Sequence, residues 1–267
     1  MLTARTFLVR GLLAGLVAGI VTFGVAYVIG EPPVASAISF EESQSAVEAP
    51  ADHDHDAVAG EAAEHSHGDE DPIVSRENQA TWGLATATVV FGIALGGIIG
   101  LASAFAVGRL GRLSPRASTA LVTAIGFISV YFVPYLKYPP NPPAVGNPDT
   151  IGDRTALYFT MLAVSVIAAV AALVLANRLS RTMGAWNAGL VAVGGYLVVV
   201  VLTAWLLPVI DEVPADFSAD LLWRFRMASL TVQATMWTVI GVLLASMIGS
   251  VVRRSSAQNA ILAGTTA

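Results

Sequence analysis

The stretch Trp82-Gly-Leu-Ala-Thr-Ala-Thr-Val-Val-Phe-Gly-Ile-Ala-Leu-Gly-Gly-Ile-Ile-Gly-Leu-Ala-Ser-Ala-Phe-Ala-Val107 contains no charged residue and no proline. A bilayer's hydrocarbon core of about 30 Å is crossed by about 20 apolar residues in α-helix, and lipid offers the backbone no hydrogen bonds, so the chain must satisfy its own. The stretch lacks the alternation of a barrel strand and is far too long for one, so it reads as a membrane-spanning helix. Working outward, five more runs read the same way: Phe7 to Ile29, Ala117 to Leu136, Ala156 to Ala176, Trp186 to Pro208 and Met227 to Val252. The fold expected is an all-α membrane protein, a bundle of about six transmembrane helices. Composition agrees, with 55% hydrophobic and 12% charged residues, where soluble domains carry about a quarter charged. Cysteine is absent, which excludes disulfides, thiolate metal sites and cysteine nucleophiles.

The connections are sorted by charge. Arg5 and Arg10 lie at the start of the first span, and Arg109, Arg112 and Arg116 lie between the second and third. Arg178 and Arg181 follow the fourth, Arg253 and Arg254 the sixth, and none of these connections holds an Asp or Glu. The positive-inside rule makes them cytoplasmic, which places both termini of this multi-pass chain inside. Every carboxylate then falls outside, including Asp149, Asp153, Asp211, Glu212, Asp216 and Asp220. An exterior of that kind concentrates cations. Ala35-Ser36-Ala37 resembles a signal-peptide cleavage site, but the first apolar run exceeds the roughly 7–15 residues usual for such peptides, so it reads as a retained anchor. The chain divides into a first transmembrane helix (1–30), an extracytoplasmic loop (31–80), a five-helix bundle (81–254) and a tail (255–267). The bundle carries a proline-rich outer loop (134–155) and an acidic one (209–226).

Within the first loop, Ala51 to Pro72 holds all 4 histidines of the chain. His53 and His55 form one His-x-His pair among Asp52, Asp54 and Asp56; His65 and His67 form a second beside Glu64. Neutral imidazole ligates divalent first-row metals, and carboxylates complete or neutralise such sites. With almost no large apolar side chains the segment builds no core and is expected to be disordered without a partner. A solvated acidic loop is the plainer reading; two matched pairs holding every histidine favour metal capture.

Small residues recur at four-residue spacing: Gly11, Gly15 and Gly19; Gly92, Gly96 and Gly100; Gly241, Ala245 and Gly249. Such faces let helices approach closely in lipid. Trp82, Trp186, Trp205 and Trp237 fall near span ends, where aromatic belts are expected. No ionisable residue lies well inside any span, whereas coupled transporters usually place one there. An ion in transit would meet only hydroxyls and amides such as Thr22, Thr203, Thr231, Gln233 and Thr235, or the sulfur of Met236. The chain therefore reads as incomplete without a partner subunit. It has no nucleotide-binding motif, and its spans offer no acid–base pair or nucleophile of an enzyme.

The connection after the third span reads Val133-Pro134-Tyr135-Leu136-Lys137-Tyr138-Pro139-Pro140-Asn141-Pro142-Pro143-Ala144-Val145-Gly146-Asn147-Pro148-Asp149-Thr150-Ile151-Gly152-Asp153-Arg154-Thr155. So many prolines hold the chain in extended and turn geometry, as a lid, a docking surface or a stiff connector. Gly146 and Asn147 supply a turn, and Asp149 or Thr150 is placed to cap the next helix. This loop closely resembles the signature of the CbtA family, the probable cobalt transporter subunits. Two further segments are similar to the family's pattern: Pro72-Ile73-Val74-Ser75-Arg76 with Gln79, Gly83 and Leu84, and Pro208, Glu212-Val213-Pro214 and Phe217 followed by Leu221-Leu222-Trp223-Arg224-Phe225-Arg226 with Ser229, Gln233 and Trp237.

The resemblance implies a bacterial plasma (inner) membrane protein in cobalt uptake tied to cobalamin supply, and a small single-span partner, CbtB, with its own histidine motif. Lipid is the other partner, and no nucleic acid is expected. The metal is substrate rather than cofactor. Imidazole and carboxylate bind nickel, copper and zinc as well, so the residues alone do not select cobalt. A metal-sensing or scaffold protein that binds metal without moving it is the alternative. The outer cations Arg76, Lys137, Arg154, Arg224 and Arg226 are expected either to pair with carboxylates such as Asp149, Asp153, Asp211 or Glu212, tying the outer loops together, or to snorkel at the interface.

Overall fold

A computed structural model describes residues 2–48, 75–111, 113–143 and 145–264. Among them the chain is helical and contains no strand. Five helices are long and apolar enough to cross a membrane: α1 (Ala4–Ser43, helical on to Glu48), α2 (Arg76–Ala106), α3 (Pro115–Lys137), α4 (Ile151–Leu206) and α5 (Ala219–Gly264). The six expected runs are all present, because α4 carries two of them. It breaks at Gly184, whose φ of 79° and ψ of 159° are open to a residue without Cβ. The two legs then pack on each other. Ser165 and Tyr196 hydroxyls lie 2.9 Å apart although 31 residues separate them, a stretch that would cover about 46 Å in a straight helix.

Local signals set the ends. Thr3 accepts a hydrogen bond from the Thr6 amide, Ser114 from Ala117 with Pro115 in the first turn, and Ser218 from Leu221, each filling a donor that a helix start leaves open. Two wide π turns, Ala26–Gly30 and Phe127–Phe132, each end two residues before a proline, Pro32 and Pro134. Proline lacks the N–H of the normal ladder and its ring clashes with the carbonyl one turn back, so the preceding turn widens while the helix continues. This is how α1 runs on past Ile29, into residues expected to begin the outer loop.

Helices α1, α2, α3 and α5 share a core that includes Phe7, Leu95, Ile99, Phe127, Ile240 and Leu244. Helices α1 and α2 run antiparallel with their glycine faces opposed: Gly11 meets Gly96, Gly15 meets Gly92 and Gly19 meets Val89. A Cβ on Gly92 would lie 2.5 Å from the Gly15 carbonyl oxygen and 3.0 Å from Gly19 Cα, so only hydrogen fits. The third small face packs more loosely, with Gly241 against Thr123 and Gly249 against Arg116. The α4 hairpin joins through Met161 and Val200, which cluster with Val133 of α3.

Charge sorts by end. Arg109 and Asn177, from different connections, meet at one end, where the Asn177 amide donates to the Arg109 carbonyl at 2.8 Å, and Arg116 and Arg253 flank Gly249 there. The described carboxylates gather at the other. Trp82, Trp186 and Trp205 are exposed as belt residues would be. Trp237 is not: it is buried against Gly126 and Phe127, a core residue rather than a belt one.

Candidate functional site

At the carboxylate-bearing end three connections converge. The proline-rich loop leaves α3 through Lys137 and Tyr138, which fasten it to the end of α4: the ammonium donates to the Leu207 carbonyl at 3.0 Å and the phenol to Pro208 at 2.8 Å. A cation suits that place, since carbonyls at a helix C-terminus lack partners and carry negative potential. Farther along, Arg226 of α5 donates to the Pro140 carbonyl (3.4 Å) and the Asn141 side-chain oxygen (3.0 Å), while Tyr135 donates to the Arg226 carbonyl at 2.9 Å. Proline-rich backbone has few amides to bind with, so its carbonyls are held by long cationic side chains instead.

Glu212 of the acidic loop closes the assembly. Its carboxylate accepts from the Asn147 amide at 2.9 Å and the Thr150 hydroxyl at 2.5 Å, and lies 3.4 Å from Arg154 Nε. These bonds to the ionised form, the Thr150 hydroxyl first, then the Asn147 amide and the Arg154 charge, hold its acid below the usual carboxylate range. Arg154 also donates to the Asn147 carbonyl at 3.0 Å and lies where a Cβ on Gly146 would go. Gly146, with φ of 121°, is therefore required both for the turn and for the guanidinium beside it. Thr150 does precede α4, but its hydroxyl serves Glu212 rather than capping the helix. Beneath, Val145 of the proline loop and Phe217 and Leu221 of the acidic connection pack on Ala37 of α1, with Phe40 edge-on to Phe217 at 5.3 Å.

Of the outer cations, Arg154 pairs with Glu212, Arg76 with Glu31 of α1, and Arg224 with Asp220 one turn back. Lys137 and Arg226 bond to neutral oxygens. The Arg76–Glu31 pair, at 2.5 Å, ties the beginning of α2 to α1 at the same end of the bundle. The proposed ligands His53, His55, His65, His67, Asp52, Asp54, Asp56 and Glu64 lie outside the described residues. Among the described residues no group of three His, Cys, Asp or Glu side chains is placed to hold a metal ion.

The buried bundle keeps two of the expected polar groups, Thr22 and Met236, and adds others. Thr22 donates to the Met236 sulfur at 3.8 Å, both buried, as a pair across α1 and α5. Thr203, Thr231 and Thr235 instead bond to carbonyls of their own helices. Ser103, Ser118, Thr119, Thr123, Ser129 and Ser165 are buried as well. Hydropathy gave no reason to choose them, because their orientation depends on which faces of the helices meet.

A family model described as probable cobalt transporter subunit (CbtA) matches residues 4–249, from the first turn of α1 to near the end of α5. The chain belongs to the CbtA family. It is thus a multi-pass membrane protein of a transporter-subunit family, a description that implies a partner subunit. The match spans all five helices and both loops of the carboxylate-bearing end. No curated protein and no solved structure matches the chain.

Proposed function

We propose that this CbtA-family chain captures a divalent metal, cobalt by preference of its system, on the outer face of a bacterial plasma membrane and passes it through the bundle with a small single-span CbtB-like subunit. Capture falls to His53, His55, His65 and His67 with Asp52, Asp54, Asp56 and Glu64. The observation that carries this reading is the convergence at one end of the bundle. Helix α1, which is tied to the start of α2 by Glu31 and Arg76 and packs on the proline and acidic loops through Ala37 and Phe40, precedes the histidine-bearing segment in the chain, and α2 follows it. Metal bound by that segment would be held next in the chain to the helices that build the carboxylate-bearing end of the bundle.

The outer carboxylates Glu31, Glu212 and Asp220 are engaged with arginines. Glu31 and Glu212 join separate elements of the face and Asp220 pairs within its own helix, which leaves the imidazoles as the better first ligands. Imidazole must be neutral to bind metal, so capture weakens as pH falls through about 6.5. Radioactive cobalt uptake by cells with and without the chain, competed by nickel, copper and zinc, tests the function. The capture step is tested by metal titration of the loop peptide against one with the four histidines replaced by alanine; equal affinities would remove them from the mechanism. Vesicles holding this chain and its partner that accumulate no cobalt would point instead to a sensor or scaffold.

A further inference from the structure

The proline loop, the start of α4 and the acidic loop enclose a cleft of about 510 Å³ at the carboxylate-bearing end of the bundle. Its walls do not suit a cation. Lys137, Arg154 and Arg226 all line it, against Asp211 as the carboxylate in its lining. Arg154 is offset by Glu212, but among the described residues neither Lys137 nor Arg226 comes within 4.0 Å of a carboxylate. Their bonds to Leu207, Pro140 and Asn141 hold them in place without neutralising them.

A snorkelling cation reaches outward to water or headgroups, whereas these two are half-buried and share one concavity with Arg154. Like charges held together around an open space raise one another's energy, and a bound anion relieves this. One flank of the cleft is Ile151 and Phe159, which are 56% and 58% exposed and continue into the apolar surface of α4. The ligand space is therefore polar on one side and bordered by a lipid-facing wall on the other.

We propose that this cleft binds a compact oxyanion, a carboxylate or phosphate, gripped by Lys137 and Arg226, with the Glu212-paired Arg154 lining the same cleft. Two sources share that chemistry: a free anion and the headgroup of an anionic phospholipid. The full chain, purified in neutral detergent, would be titrated with inorganic phosphate by calorimetry. In parallel, native mass spectrometry would compare retention of phosphatidylglycerol and phosphatidylcholine. Phosphate binding assigns the free anion, and preferential retention of phosphatidylglycerol assigns the lipid. Either is expected to fall about tenfold in Lys137→Gln, which keeps a donor for Leu207, and further in Lys137→Gln/Arg226→Gln, while Lys137→Arg retains it. Because Arg226 also holds the loop, the single Lys137→Gln decides if the double variant does not fold. No phosphate binding together with no lipid preference would overturn the proposal, as would binding that Lys137→Gln leaves unchanged.

Discussion

Glu212 touches the proline loop and the start of α4 through an amide, a hydroxyl and a guanidinium together. Charge reversal at Arg154 should therefore lower the thermal midpoint of the purified protein, and adding Glu212→Arg should restore part of the loss. Reversal at Asp149, Asp153 or Asp211 should restore none, since none of these pairs with Arg154. Because the folded carboxylate is the more acidic form, its contribution is complete above the unfolded value of about 4.3 and disappears as pH falls through the lower folded one. A pH series of thermal midpoints should show that acid-side loss, and Glu212→Gln should flatten it. The sequence made pairing of Arg154 with one of four outer carboxylates legible, but not the choice among them. That choice depends on where the turn at Gly146 and Asn147 delivers its amide and carbonyl. Lys137 and Arg226 escaped the same reasoning because their acceptors are mostly carbonyls, which every residue has and no sequence marks.

Helices were legible because the bilayer demands them, and their glycine faces because spacing alone puts Gly11, Gly15 and Gly19, or Gly92, Gly96 and Gly100, on one side. That the two faces meet each other required the structure. Gly92→Leu should force α1 and α2 apart, since the nearest atoms are backbone and cannot rotate away; a loss above about 2 kcal/mol is expected, read as a collapse of folded yield and thermal midpoint. Gly241→Ala is the contrasting case, because the atoms nearest a Cβ there belong to the Thr123 side chain, the closest at 3.0 Å, and not to backbone. It should fold nearly as the parent does. At the α4 break the obstacle is backbone conformation instead. Nothing packs within 4 Å of a Cβ on Gly184, but its φ of 79° and ψ of 159° disfavour any other residue, so Gly184→Ala should cost about 1–3 kcal/mol from conformation alone. Hydropathy separated the two legs of α4 without showing that one residue turns the chain between them. It also ended α1 too early, because apolarity marks where a helix meets lipid and not where its hydrogen bonds stop.

For the whole molecule the decisive quantity is sidedness. The arginine-bearing connections and the carboxylate-bearing loops fall at opposite ends of the helices, as alternation along a chain of antiparallel spans requires. Only the positive-inside rule then says which end faces the cytoplasm. The natural absence of cysteine makes this directly measurable. Ser66→Cys, within the histidine segment, should react with a membrane-impermeant maleimide on intact cells, and Ser180→Cys, beside Arg178 and Arg181, only after permeabilisation. The reverse pattern would place the imidazoles inside, where capture for import has no meaning, while leaving the helix packing and the Glu212 clamp intact. The same two variants also separate topology from transport. If Ser66→Cys labels from outside yet the four-histidine replacement takes up cobalt at the parental rate from submicromolar medium, the segment faces the right way but does not capture. Replacement is expected instead to lower uptake most at low metal and high pH, where capture limits the flux and the imidazoles are neutral. At saturating metal the difference should shrink, because a ligand that only raises the local concentration of an ion is bypassed once that ion is abundant.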